Sequence, residues 1–292
     1  SGGTVQIPFT AAALMPDIEN LQQLMLLAAM LISFTGMEMS AVHVNEVRNP
    51  AVNYPKAIFA ASVLIIGLSA LGSLAIAMVV PTDGVSLSAG VCQAFDRLFQ
   101  IHKMEFMTPI ICFLMAYGAL TMVITWMVGP SKGIREVARE GFLPKSWQKI
   151  NKFGIPTNIL IIQSGLSALV SCAILFMPTV SSAFMLMSAL AVQLYLIMYL
   201  LMFAAAIKLR YTRPEVKRGY TIPGGKVGIW MVSGLAIITC IFVFVFGFIP
   251  PKAVLDEGIP ASAGYIGFLV TGVAVFTCVP LYFYGRAVKK TR

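Results

Sequence analysis

Glu38 lies in the stretch ISFTGMEMS (32–40), two residues after Gly36 and amid Ser33, Thr35 and Ser40. Of the chain's 12 acidic residues it is the one set deep in an apolar run. Placing a carboxylate in hydrocarbon costs at least about 2.5 kcal/mol. Glu38 must therefore face a cavity, meet a partner or carry a proton, and each of these suits a substrate site or a proton relay. The plainer alternative is a helix-end Glu that snorkels or pairs with a distant base. A Gly among hydroxyl side chains beside that carboxylate is what a discontinuous helix needs. Unwinding frees backbone N–H and C=O groups for a substrate's α-amino and α-carboxyl groups, and the half-helix dipole favours the anionic end. A Gly used only for helix packing is the competing account.

Three aromatic residues are further candidates. Trp126 falls near one end of an apolar run, a position that suits an interfacial aromatic belt as well as a site. Tyr195 and Tyr199 are four apart, so on a helix they share a face, whether for core packing or to line a cavity with their hydroxyls. Two enzyme-like patterns lack their context. GPSKG (129–133) satisfies G-x-S-x-G, but a nucleophile elbow needs a preceding strand, and here an apolar helix precedes it. GYTIPGGK (219–226) has Gly225 where a phosphate loop requires Lys. No residue is assigned a catalytic role, and no cofactor or metal is expected. The five cysteines show no C-x-x-C spacing. Cys112, Cys172, Cys240 and Cys278 fall inside apolar runs, Cys92 is left without an evident disulfide partner, and all five read as structural.

The elements that must position these residues are membrane helices. The 292 residues are 58% hydrophobic and only 11% charged, with a mean hydropathy of +0.86. A soluble domain carries about 25% charged residues. Apolar stretches long enough to cross a bilayer predict seven spans near 21–44, 57–80, 106–128, 156–177, 182–207, 228–249 and 263–284. The net charge of +9 needs no nucleic acid to explain it. If the connecting segments are assigned alternately to the two faces, 18 of the 21 basic residues fall on one side. That bias places the N-terminus of this chain outside and its C-terminus in the cytoplasm. An outside N-terminus beginning at Ser1, with no signal peptide, predicts upstream spans, odd in number if the complete protein starts in the cytoplasm.

Along the chain, the second span is rich in small residues (Gly67, Gly72, Ser73, Ala75), suited to close helix packing. SLSAGVCQAFDRLF, within the outer loop 81–105, predicts a short amphipathic helix at the interface. IREVAREGF, after the third span, predicts a second one on the cytoplasmic side. The basic loop 211–226 is turn-rich. His43 and His102 fall on opposite sides of the membrane and cannot share a metal.

ISFTGMEMSAVHVNEVRNPAVNYPKAI (32–58), WMVGPSKG (126–133), REGFLP (139–144) and PEVKRGYTIPGGK (214–226) together resemble the bacterial glutamate/γ-aminobutyrate antiporter branch of the amino acid–polyamine–organocation superfamily. The resemblance covers the family's helices six to twelve. It implies an all-α membrane protein with the LeuT-like inverted-repeat transporter fold. Residues 1–207 would be an outer tail and the second five-helix repeat with its broken first helix. Residues 208–292 would be a cytoplasmic loop and two accessory helices. By motif, Ser33, Phe34, Thr35, Gly36 and Glu38 form the substrate-binding break, Trp126 matches a Trp that closes over substrate, and Tyr195 and Tyr199 match a Tyr pair lining the pathway. The implied partners are an amino acid, the lipid bilayer and the missing N-terminal half. The implied activity is exchange of extracellular glutamate for cytoplasmic γ-aminobutyrate in a bacterial inner membrane, serving acid resistance. Met122 replaces an acidic residue of that branch, and its His-rich C-terminal plug has no counterpart. Exchange of another amino acid/amine pair, or a non-transporting fragment that assembles with a separate half, are the alternatives.

Overall fold

The computed structural model describes residues 23–24, 27, 30–31, 34–79, 90–172, 180–251, 254–255 and 259–291. The chain is an all-α membrane protein. Among the described residues, seven longer α-helices follow in order: α1 Pro50–Val79, α2 Gly90–Ile101, α3 Met107–Arg139, α4 Thr157–Cys172, α5 Val180–Thr212, α6 Gly225–Phe246 and α7 Ile259–Thr291. Two 3-10 segments, Met37–Glu46 and Lys145–Gln148, join them. Among the described residues, five helices hold stretches long and apolar enough to cross a bilayer: Pro50–Ile76, Met107–Arg139, Ala183–Thr212, Gly225–Phe246 and Ala261–Lys289. Thr157–Cys172 is the described part of the span expected at 156–177. Of the first expected span, 21–44, residues 21–22, 25–26, 28–29 and 32–33 lie outside the described residues.

These helices carry large apolar side chains on their outer faces, among them Phe59, Phe113 and Leu235. In water such surfaces would aggregate, whereas in lipid they are solvated. The described chain forms two compact units. One holds residues 39–42 and the described part of 58–181, and the second holds the described part of 16–38, 43–57 and 182–292.

In the first unit, the expected amphipathic helix of the outer loop is α2. The separate interfacial helix expected around residues 134–142 is not formed. Those residues are the last turns of α3, which runs unbroken through Pro130 as far as Arg139. The stop comes later, where Gly141 adopts φ 89. Its N–H donates to the Ala138 carbonyl over 3.0 Å, a left-handed helix ending that favours glycine. Side chains then organise the following loop. Gln148 Nε2 donates to the Ala138 carbonyl at 2.8 Å, and Asn151 Oδ1 accepts the N–H groups of Phe153 and Ile155.

α1 starts at Pro50, about two turns before the expected residue 57. Proline suits the first helical position because its missing N–H would have no partner there. Asn49 at φ 52 precedes it, and Asn53 Nδ2 donates to the Arg48 carbonyl.

In the second unit, Leu196, Cys240 and Val243 form a buried cluster with Tyr199, Phe203, Phe242 and Phe246 packed around it. α7 approaches α5 closely where Gly272 meets Leu190. A Cβ at Gly272 would stand 2.7 Å from Leu190 Cδ1. Gln193, on α5, is completely buried, and its Nε2 donates to the Phe244 carbonyl of α6 at 3.2 Å. Where α6 begins, Trp230 Nε1 donates to Tyr211 Oη at 2.9 Å, and Lys226 Nζ stands 5.1 Å above the Tyr211 ring. Aromatic and basic groups clustered at a helix end suit a membrane interface.

Candidate functional site

The described residues of the first span are helical at 30 and 31, and Phe34–Gly36 are not helical. Gly36 stands at φ 106, ψ −7, and the 3-10 segment begins at Met37. Any residue with a Cβ is strained at that φ, so the glycine is what allows the chain to change direction here. Glu38 falls in the first turn beyond it.

The turn folds the carboxylate back on the backbone. The Gly36 N–H donates to Glu38 Oε2 at 3.1 Å, and also points to Tyr199 Oη at 3.1 Å. The Tyr199 hydroxyl donates to the same Glu38 oxygen. A backbone N–H, a phenol and a carboxylate thus form a closed three-membered cluster. Hydrogen bonds to a charged acceptor are about twice as strong as neutral ones, so the cluster fixes the Glu38 side chain. Its second oxygen, Oε1, is shut off from solvent and accepts no hydrogen bond among the described residues. A buried acceptor of that kind can receive an ammonium group or a proton.

Tyr195 joins through its ring, 5.9 Å from that of Tyr199, and lies within electrostatic reach of Glu38. Phe203 extends the row, with its ring stacked 6.1 Å from Tyr199. Beside the cluster is a cavity of about 340 Å³, lined among others by Phe34, Thr35, Tyr199, Phe203, Leu235 and Thr239. Phe203 and Thr239 were not among the residues singled out from the sequence. The spacing 195, 199, 203 was a usable signal for Phe203. Nothing in the sequence pointed to Thr239, which stands in a strongly apolar helix.

The structure therefore gathers Phe34, Thr35, Gly36, Glu38, Tyr195 and Tyr199 within one unit. Ser33 lies outside the described residues. Trp126 is on α3, in the first unit, partly exposed at 38%. Close by on α3, Gly129 is buried, and a Cβ there would overlap the Met39 methyl.

The enzyme-like patterns have structural explanations. Ser131 is fully buried inside α3, and its hydroxyl donates to the Val128 carbonyl at 2.7 Å, so its Oγ is not exposed as a nucleophile. Gly224 and Gly225, with φ 86 and 60, turn the chain into α6. His43 Nδ1 pairs with Glu46 Oε2 at 2.8 Å, a local contact on one exposed segment.

Comparison with known proteins agrees with this architecture. The chain is 41% identical over 269 residues to an uncharacterized transporter of Legionella pneumophila, covering 92% of this chain and 57% of the relative. It is 32% identical over 286 residues to a glutamate/gamma-aminobutyrate antiporter of Lactococcus lactis, covering 96% of this chain and 57% of the relative. It is 24% identical over 217 residues to a D-serine/D-alanine/glycine transporter of Escherichia coli K12, covering 73% of this chain and 44% of the relative. The chain thus spans about half the length of the curated relatives it matches. The pattern of the amino acid permeases fits residues 2–276, so the chain belongs to the amino acid permease family.

Proposed function

We propose that this chain is the second-repeat part, with two accessory helices, of an amino-acid antiporter that takes up glutamate and releases γ-aminobutyrate. The observation that carries the reading is the Glu38–Tyr199–Gly36 cluster at the helix break. One Glu38 oxygen is held by two donors while the other stays buried and open. That is the arrangement of a group that meets a substrate ammonium or passes a proton.

The substrate pair is supported by the 32% identity to the glutamate/gamma-aminobutyrate antiporter across nearly the whole chain. Decarboxylation of glutamate consumes a proton, so exporting the amine product relieves acid stress in the cell. The charge bias of the loops supports an inner-membrane orientation with residues 81–105 outside and 129–155 in the cytoplasm. Ser33, Trp126 and Tyr195 complete the proposed binding set with Phe34, Thr35, Gly36, Glu38 and Tyr199. The remaining part of the site would come from an N-terminal half carrying the first broken helix.

The test is counterflow in proteoliposomes loaded with γ-aminobutyrate. The protein is a chimera in which the N-terminal part of the Lactococcus antiporter precedes this chain. Uptake of labelled glutamate that depends on internal γ-aminobutyrate is the expected result. Uptake of another amino acid alone would replace the substrate pair, and no exchange of any amino acid would overturn antiport. This chain reconstituted by itself is expected to show no exchange.

A further inference from the structure

The structure assigns Cys92 and Cys112 to a redox-closable pair: we propose that a disulfide oxidant outside the membrane links them and staples α2 to the outer end of α3. The placement outside rests on the orientation proposed above.

The sequence left Cys92 on an outer loop and Cys112 inside a span, with nothing to join them. The structure turns α2 back against α3 as a helical hairpin, and the side chains show the pairing. Thr108 Oγ1 donates to Asp96 Oδ1 at 2.9 Å, and Gln100 Nε2 holds the second Asp96 oxygen at 2.7 Å. Residues four apart lie above one another on a helix face. One turn from Asp96 on α2 is Cys92, and one turn from Thr108 on α3 is Cys112. The antiparallel register that brings Asp96 to Thr108 therefore brings Cys92 to Cys112.

A second contact agrees with that register. Cys92 Sγ lies 3.8 Å from Met115 Sδ, three residues beyond Cys112 on the same helix. The two thiols are close enough to interact directly. Neither is sealed in a core, since both cysteines are half-buried. Cys172, Cys240 and Cys278 lie on other helices.

The chemistry balances as thiol–disulfide exchange. The Cys92 thiolate attacks one sulfur of the oxidant's disulfide, releasing one thiol and forming a mixed disulfide. The Cys112 thiolate then attacks the Cys92 sulfur and displaces the second thiol. The oxidant gains two electrons as its S–S bond opens, and the cysteines lose two as theirs forms. Each cysteine gives up one proton. Compartments outside the inner membrane sustain such bonds. The staple tethers an interfacial helix to a membrane span, restricting how far α2 can lift away from α3.

The test treats intact cells expressing the protein with oxidised glutathione, then denatures and counts thiols with a mass-tagged maleimide. Of 5 cysteines, three are expected to react after oxidation and all five after added reductant. Peptide mass spectrometry without reduction is expected to show the Cys92 peptide joined to the Cys112 peptide. Cys92→Ser and Cys112→Ser, each with one of the 5 cysteines removed, are expected to show no cross-linked peptide after oxidant, and any glutathione caught on the remaining thiol as an unresolved mixed disulfide is released by reductant. Five reactive thiols in the oxidised wild type, in intact and in permeabilised cells alike, would overturn the pairing, as would a link to any other cysteine. Closure only after permeabilisation would overturn the outward placement while keeping the pair. Neither failure bears on glutamate exchange, which the counterflow assay reads separately.

Discussion

The Tyr199 hydroxyl donates to Glu38 Oε2, joining residues 161 positions apart in the chain. One is on α5 and the other just beyond a break in the first span. The bond ties the shape of the break to the position of α5, so a change at either end should be felt at the other.

Replacing Tyr199 by Phe keeps the ring and its stacking on Phe203 but removes the donor. A hydrogen bond to a charged group contributes about 1.5–3 kcal/mol, and about 1.4 kcal/mol is a factor of ten in an equilibrium constant. Glutamate exchange by the full-length chimera should fall roughly tenfold or more, with membrane insertion unchanged. Exchange at the wild-type rate would show that the bond has no part in transport.

Glu38→Gln preserves an acceptor for Tyr199 and Gly36 but cannot carry a charge or titrate. It is expected to reduce glutamate exchange while the protein stays folded, because the charge that would meet a substrate ammonium is gone. Glu38→Ala should reduce exchange further. It also leaves the Tyr199 hydroxyl without its acceptor, at a cost of about 1–3 kcal/mol where buried, while the Gly36 N–H keeps Tyr199 Oη as a partner. Equal exchange rates for wild type and Glu38→Gln would make Glu38 a structural residue.

Gly36→Ala tests the turn. A Cβ in the left-handed region costs about 1–2 kcal/mol. The variant should melt at lower temperature in detergent and lose exchange together with stability. A melting temperature equal to that of wild type would mean the backbone can turn there without glycine.

Gly272→Val tests the packing of α7 on α5. The new side chain must displace Leu190, and overpacking of a filled interior costs about 1–3 kcal/mol. Thermal stability should drop, and pairing Gly272→Val with Leu190→Ala should recover part of it. Loss without any recovery would place the strain elsewhere.

Orientation is checked with single cysteines in a cysteine-free background. Gln100→Cys on α2 and Phe153→Cys after α3 are both solvent-exposed positions. An impermeant maleimide added to intact cells should label the first and spare the second. The reverse pattern would invert the topology.

Much of this protein is written in short-range patterns. Apolar run lengths located the membrane helices, because a bilayer demands about 20 apolar residues per crossing whatever lies alongside. The amphipathic α2 and the shared face of Tyr195 and Tyr199 follow from helical periodicity. The break at Gly36 was legible because only certain residues tolerate its backbone and because a lone carboxylate is costly in an apolar run.

Where strength depends on neighbours, local pattern was not enough. An apolar run ending near residue 128 and the amphipathic pattern after it suggested that the third span stops and a new helix begins, yet α3 continues through Pro130 to Arg139. A helix that packs along its length can absorb one missing backbone bond. Gln193 drew no notice in the sequence, although it is fully buried and bonded to α6. The pairing of Glu38 with Tyr199 and the meeting of Cys92 with Cys112 were likewise invisible. Residue type and spacing say which groups share a helix face. Only the packing of one helix against another segment decides which faces meet, and that is set by side-chain contacts between positions far apart in the chain.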